Sequence, residues 1–268
     1  MKKQLLELTT AIFLAIISTI GFSAQGNTGQ QKKPDADSLK VYIAKAQNLA
    51  MQGKKAEASG IFTNLMLNYP DNKESVQDWL IINMKKTPTG EVDAIKQLED
   101  LQKLYPKNTG ILFYKFFMEA KYKKNAEALI DCELLIKLQP DTAINYVCKG
   151  QVLAAMKNYK DACKAFEKAT KLNPERFDVW VMKAGAQEKA GKLNDAIASI
   201  NKAIEMKPEY PANFYNRACF YSLKGDKTKT LADLKKAIDM NPTFKQTARK
   251  DEDFTVLYND ADFKKLVE

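Results

Sequence analysis

Cysteines and carboxylates are the residues of this 268-residue chain whose chemistry could serve catalysis or metal binding. The cysteines are Cys132, Cys148, Cys163 and Cys219, and no two of them form a CxxC arrangement. The chain contains no histidine, which removes the most common general base and the most common metal ligand. We therefore expect neither a zinc site nor a Ser–His or Cys–His nucleophile pair.

The glycines and the acidic residues give no stronger sign of an active site. No glycine-rich phosphate loop of the GxGxxG or GxxxxGK[ST] type occurs. The carboxylates alternate with lysines, whereas hydrolysis by a carboxylate pair requires two of them to converge in a cleft. We predict that the protein is not an enzyme and that it uses no cofactor and no metal.

A repeat of 34 residues organises the elements that carry these side chains. Residues 143–176 and 177–210 align without a gap, so that Tyr146 matches Trp180. Prolines end successive segments with spacings of 36, 34, 34, 34 and 34 residues: Pro70, Pro106, Pro140, Pro174, Pro208 and Pro242. Self-similarity at such a period is typical of stacked supersecondary units.

Each copy has a large residue early in a first helix, a small residue four positions later, and small and large residues in a second helix. Examples are Tyr146, Gly150, Ala162 and Phe166. The pattern resembles the tetratricopeptide repeat family, whose unit is a helix–turn–helix of 34 residues. The resemblance implies an all-α fold, a right-handed α-solenoid of about six such repeats with a C-terminal capping helix.

The period places six repeats between residues 39 and 244, followed by a cap at 245–268. The repeats are 39–72, 73–108, 109–142, 143–176, 177–210 and 211–244. Repeats two and three depart from the pattern because Leu80 and Phe116 stand where a small residue is expected. Either the helices of repeat three are splayed, or the register slips by one residue in its first helix.

The first 38 residues have a different composition. Lys2 and Lys3 precede an apolar run that ends near Phe22, and small residues follow it. This is the pattern of a secretory signal peptide, so we predict a signal at 1–26 and a disordered linker at 27–38. The protein is then expected in the periplasm of a Gram-negative bacterium. An uncleaved membrane anchor is the alternative.

The formal net charge of +9 raises the question of an acidic partner. Lysines alternate with acids along the second helices, as in Glu167-Lys168, which is typical of a solvated helix face. We therefore predict no nucleic-acid binding. A weak association with an acidic envelope surface remains, and it would make the protein a glycan or lipid binder through lysine-rich convex faces.

The tetratricopeptide resemblance implies that first-helix residues one turn apart line a concave groove for a partner. These positions include Phe113, Phe117, Val147, Gln151, Val181 and Tyr215. None of the six is the Lys, Asn or Arg that clamps a terminal carboxylate in the chaperone-binding members. We predict a protein-interaction scaffold whose groove takes an extended peptide or a partner helix through apolar contacts.

The cysteines lie within the repeats, and an exported chain would meet an oxidising compartment. Cys132 could face Cys148 on the next helix, or Cys148 could approach Cys163 inside repeat four. We favour free thiols in small core positions, because a disulfide requires Cα atoms about 6 Å apart.

Overall fold

The computed structural model describes residues 36–69, 75, 78–79 and 90–268. The predicted signal and the linker up to residue 35 lie outside the described residues. Every regular element of the described part is helical. The helices are α1 (Ala36–Met51), α2 (Lys55–Asn68), α3 (Gly90–Leu104), α4 (Thr109–Lys121), α5 (Asn125–Leu138), α6 (Ala143–Ala155), α7 (Tyr159–Leu172), α8 (Phe177–Lys189), α9 (Leu193–Met206), α10 (Pro211–Leu223), α11 (Lys227–Met240), α12 (Phe244–Ala248) and α13 (Ala261–Val267), with a 3₁₀ helix at Glu252–Leu257.

The helices group into two compact units, residues 30–172 and residues 173–268. In the first unit, α1 contacts α2, and each of α3 to α6 contacts the next helix in the chain. In the second, α8 to α11 do the same, and the C-terminal elements contact α10 and α11. This consecutive pairing confirms the predicted all-α repeat fold.

The helices of repeats three to six begin at intervals of 34 residues. The first helices start at Thr109, Ala143, Phe177 and Pro211. The second helices start at Asn125, Tyr159, Leu193 and Lys227. A register slip in repeat three is therefore wrong. At the N-terminal end, α1 begins at Ala36, three residues before the predicted start of repeat one at residue 39.

Repeat three keeps its register although the large and the small residue of its helix pair are exchanged relative to repeat four. In repeat four, Gly150 lies against the ring of Phe166. The residues 34 positions earlier are Phe116 and Cys132, and both are buried. The large side chain thus comes from the first helix and the small one from the second, so the pair still fills the space between the two helices.

The turn between the two helices of a repeat requires a left-handed residue. Lys123, Lys157, Gly191 and Gly225 have φ values of 60°, 62°, 75° and 77° and lie 34 residues apart. At each turn the following amide donates back to the first helix, as from Asn158 to the Leu153 carbonyl at 2.8 Å. This geometry suits glycine and strains lysine, so repeats three and four carry a conformational cost that repeats five and six avoid.

The C-terminal residues cover the end of the second unit. Phe254 and Phe263 are buried, and their ring centroids lie 5.8 Å apart. Asp260 caps α13 by accepting hydrogen bonds from the amides of Asp262 and Phe263. The apolar surface of the last repeat is thereby shielded, which is the function expected of a terminal cap.

The two glycines inside the first helices of repeats four and five give a matched pair of substitutions. A Cβ at Gly150 would lie 2.7 Å from the buried Phe166 ring, whereas a Cβ at Gly185 meets nothing within 4 Å. We predict that Gly150→Ala lowers the free energy of unfolding by about 1–3 kcal/mol through overpacking. Gly185→Ala should raise it by about 0.5–1 kcal/mol. Urea unfolding measures both, and equal effects would contradict this interpretation.

Two buried asparagines at equivalent positions differ in their hydrogen bonding. Asn145 donates to the carbonyls of Leu135 and Gln139, each at 3.2 Å. Neither side-chain polar atom of Asn213 meets a partner in the described part of the chain, and the equivalent residue in repeat five is Val179. We predict that Asn145→Val costs about 1–3 kcal/mol and that Asn213→Val stabilises by about 1 kcal/mol. Thermal unfolding of both variants tests the contrast, and a loss at Asn213 would refute it.

Candidate functional site

The six residues predicted to line the groove fall into two groups. Phe113, Val147 and Tyr215 are buried, with at most 5% of each side chain exposed. Phe117, Gln151 and Val181 are half-buried. The first three side chains are therefore packed inside the structure, and the other three are partly accessible. A binding role for any of the six stays a prediction.

Tyr215 is buried because the C-terminal residues lie on it. Its ring stacks on Phe244 with centroids 4.7 Å apart, and its edge meets Phe254 at 5.6 Å. Its hydroxyl donates to Asp251 at 2.8 Å. Ser222 on the same helix donates to the backbone carbonyl of Asp253 at 2.6 Å. The predicted groove residue Tyr215 is therefore covered by the chain itself.

The aromatic residues early in the first helices form polar contacts that the apolar pattern did not predict. Tyr146 donates its hydroxyl to the carbonyl of Pro140, and Trp180 donates its indole nitrogen to the carbonyl of Pro174, both at 2.9 Å. In each case the acceptor lies six residues earlier. The sequence signal that could have predicted these hydrogen bonds is a proline followed six residues later by Tyr or Trp. These bonds fix the angle at which each repeat begins.

A basic residue recurs three positions after the early large residue, at Lys115, Lys149, Lys183 and Arg217. Lys149 pairs with Glu133 at 2.9 Å, and Lys183 lies 4.9 Å from the centre of the Trp180 ring. Arg217 holds Asp233 with two nitrogens, at 2.6 and 2.7 Å, and a third nitrogen contacts Asn201 at 2.7 Å. These cations are thus engaged either within a repeat or between neighbouring repeats.

Repeat three contains a carboxyl pair, which is the arrangement that catalysis would require. Glu119 and Asp131 are each 1% exposed, and Lys115 lies 3.3 Å from Glu119 and 3.1 Å from Asp131. Burial, reinforced by the charge of Asp131, raises the pKa of Glu119 to about 7 against the opposing effect of Lys115. Burial also raises the pKa of Asp131. The pair lies inside the hairpin, where no substrate reaches it, and we interpret it as a buried structural cluster.

A second cluster has the residue types of a metal site. The ligand atoms of Cys219, Asp251 and Asp253 lie within 4.8 Å of one another. Asp251 already accepts from the Tyr215 hydroxyl and from the amide of Asp253. Burial raises the pKa of the Cys219 thiol well above its ordinary value, so the sulfur stays protonated. The hydrogen bonds of the C-terminal cap thus engage both oxygens of Asp251, whereas Asp253 Oδ2 is buried without a hydrogen-bond partner among the described residues.

Comparison with known sequences identifies the repeats. The tetratricopeptide repeat model matches residues 143–176, 177–210 and 212–244. No curated protein sequence matches the chain. None of the described helices combines the length and the apolar character that a membrane span requires.

Solved structures share this fold. The chain is similar to MamA from Desulfovibrio magneticus, with 16% identity, a TM-score of 0.55 and coverage of 78% of this chain and 97% of that one. A tetratricopeptide repeat protein from Parabacteroides merdae matches with 18% identity, a TM-score of 0.55 and coverage of 87% and 98%. YrrB, described as a TPR protein with an unusual peptide-binding site, matches with 18% identity, a TM-score of 0.55 and coverage of 68% and 92%.

The buried carboxyl pair predicts a pH dependence of stability. Glu119 holds a proton in the folded state up to about pH 7, whereas its ordinary pKa is 4.5. Between these values the folded protein binds a proton that the unfolded chain releases, so the free energy of unfolding falls as pH rises. Glu119→Gln should flatten that slope, because glutamine stays neutral. Urea unfolding across the window measures it.

The matched control is Glu133→Gln, which alters an exposed carboxylate on the neighbouring helix. It should leave the slope between pH 4.5 and 7 unchanged. A Glu119→Gln profile that parallels wild type across the window would show that the cluster does not titrate there.

Proposed function

Residues 143–244 are tetratricopeptide repeats, and from this premise we propose that the protein is a non-catalytic scaffold of the bacterial cell envelope that binds another protein. The partner contributes a short segment, an extended peptide or one face of a helix, which binds on the first helices of the repeats. Fold alone does not specify function, so the proposal depends on the side chains that these helices present.

The observation that carries the proposal is the pair Phe117 and Gln151. They occupy the same position in the first helices of repeats three and four, 34 residues apart and within one structural unit. Both are half-buried, whereas Phe113 and Val147, one turn earlier, are buried. On this face, Phe113 and Val147 pack into the core, and Phe117 and Gln151 remain partly accessible to a partner.

The chemistry of these two side chains describes the partner segment. The Phe117 ring favours an apolar or aromatic side chain, and the Gln151 amide provides both a donor and an acceptor for a peptide backbone. YrrB, which has the same fold, is described as having a peptide-binding site. A segment with one apolar anchor and an exposed backbone fits this face best.

Repeat six supports the same chemistry from within the chain. There the equivalent first-helix positions are Tyr215 and Cys219, and the residues around Asp251 and Phe254 lie on them. An aromatic ring packs against Tyr215 and a carboxylate accepts from its hydroxyl. This face of a first helix thus accepts a non-repeat segment that carries an aromatic anchor.

The envelope location rests on the leader pattern alone. Lys2 and Lys3, the apolar run and the small residues after it support export, and the protein is then periplasmic. The leader itself lies outside the described residues.

The alternative function is binding to an acidic glycan or lipid surface. It is favoured by the net charge of +9. The exposed lysines of the second helices weaken it, because they pair with acids one turn away. Examples are Lys171 with Glu167 at 2.6 Å and Lys235 with Asp239 at 2.6 Å. Such a face alternates in sign and attracts an anionic surface weakly.

Crosslinking in intact cells tests the scaffold proposal. Phe117→Ala/Gln151→Ala should lose the partner that wild type captures, because the variant lacks the anchor contact and the amide. The matched control is Ile130→Ala, which removes a large side chain that is 66% exposed on α5. The control should capture the same partner as wild type.

Salt separates the two functions once the captured partner is purified. From about 0.15 to 1 M salt, the Debye length falls from about 8 to about 3 Å. Apolar groove binding should persist over this range, whereas attraction through the lysine faces should be lost. If a folded Phe117→Ala/Gln151→Ala variant binds the purified partner as tightly as wild type does, the groove proposal is wrong.

A further inference from the structure

Cys132 and Cys148 lie on α5 and α6, two helices in contact within one structural unit. The Asn145 side chain donates a hydrogen bond to the Leu135 carbonyl at 3.2 Å, which shows that these two residues lie opposite each other on α6 and α5. The helices run antiparallel, so a step of three residues towards the start of α5 matches a step of three residues along α6. Residues three apart share a helix face, and these steps lead from that contact to the two cysteines.

A second contact brackets the pair on its other side. Lys149 Nζ lies 2.9 Å from Glu133 Oε1, and each of these residues directly follows one of the two cysteines. Cys132 is 0% and Cys148 is 1% exposed. Burial raises the pKa of the Cys132 thiol, and Cys148 raises it further, as expected for two thiols that are close neighbours. The positions of the two cysteines, their burial and the effect of Cys148 on the pKa of Cys132 all indicate that the two thiols are close together.

The other two cysteines lie at different levels of the fold. On α7, the ring of Phe166 faces Gly150 of α6. Cys148 precedes Gly150 by two residues, so the residue opposite it on the antiparallel α7 lies two residues after Phe166, near Lys168. Cys163 is five residues away from that level, about 7 Å along the helix axis. Cys219 lies in the other structural unit, against the C-terminal cap.

We propose that Cys132 and Cys148 form a disulfide that joins the third repeat to the fourth when the chain meets a disulfide oxidant. The thiolate of one cysteine attacks the oxidant's disulfide, which forms a mixed disulfide and releases one thiol. The second cysteine then attacks the sulfur of the first, and the second oxidant thiol leaves. Two protein thiols and one oxidant disulfide thus give one protein disulfide and two oxidant thiols.

The burial of the pair determines when this reaction occurs. A buried thiol with a raised pKa is a poor nucleophile, so the folded, reduced protein reacts slowly. The bridge forms while the chain folds, before α5 and α6 enclose the sulfurs. It then crosslinks the repeat that contains the Glu119–Asp131 pair and the strained Lys123 turn, and this repeat gains most from a covalent constraint on its unfolded state.

The experiment refolds the purified full chain in a buffer of reduced and oxidised glutathione and then blocks free thiols. Trypsin cuts after Lys124, Lys137 and Lys149, which places Cys132 on peptide 125–137 and Cys148 on peptide 138–149. Mass spectrometry without reductant should find these two peptides joined. Reductant should separate them, while the peptides of Cys163 and Cys219 carry the blocking group throughout.

Thermal unfolding provides the second measurement and the controls. Reductant should lower the unfolding midpoint of wild type and of Cys163→Ala, which keeps the bridge. It should leave Cys148→Ala unchanged, because that variant has none. A joined peptide that contains Cys163 or Cys219, or complete blocking of all cysteines in oxidatively refolded wild type, overturns the proposal. The peptide analysis needs no variant, so a misfolded Cys148→Ala protein does not prevent the decision.

Discussion

Contact between a large side chain on one helix and a small residue on the helix facing it determines how closely the two helices of each repeat approach. In repeat four this contact joins Phe166 and Gly150, where even one added methyl group would collide with the ring. Repeat three has the sizes exchanged at the equivalent positions, where Phe116 and Cys132 are both buried. The constraint is therefore on the volume of the pair and not on either residue, which explains how an irregular sequence keeps a regular helix spacing.

The period of the sequence was sufficient to predict most of the fold. Proline spacing and the alternation of large and small residues depend on packing, and packing repeats when the sequence does. The left-handed turns at Lys123 and Lys157 were harder to predict, because a lysine, unlike Gly191 and Gly225 at the equivalent positions, gives no sequence signal for a positive φ. In repeats three and four the tertiary contacts of the two helices impose that backbone conformation on a residue that disfavours it.

The sequence pattern could assign the candidate residues to helices but could not give their exposure. Phe113, Val147 and Tyr215 lie on the first helices of their repeats, as the family resemblance implies. It could not show that neighbouring elements bury them, because burial depends on what packs above each helix. The buried pair of Glu119 and Asp131 has the same origin. Each residue looks like an ordinary surface acid in the sequence, and only the pairing of α4 with α5 brings them together beside Lys115.

The segment that lies on Tyr215 also limits how copies of the protein can associate. An uncapped last repeat presents the surface on which another repeat would stack, and successive copies could then add head to tail without closing into a ring. Phe244, Phe254 and Phe263 cover that surface in the second unit. The apolar face on which a further repeat would stack is therefore already occupied at this end of the second unit.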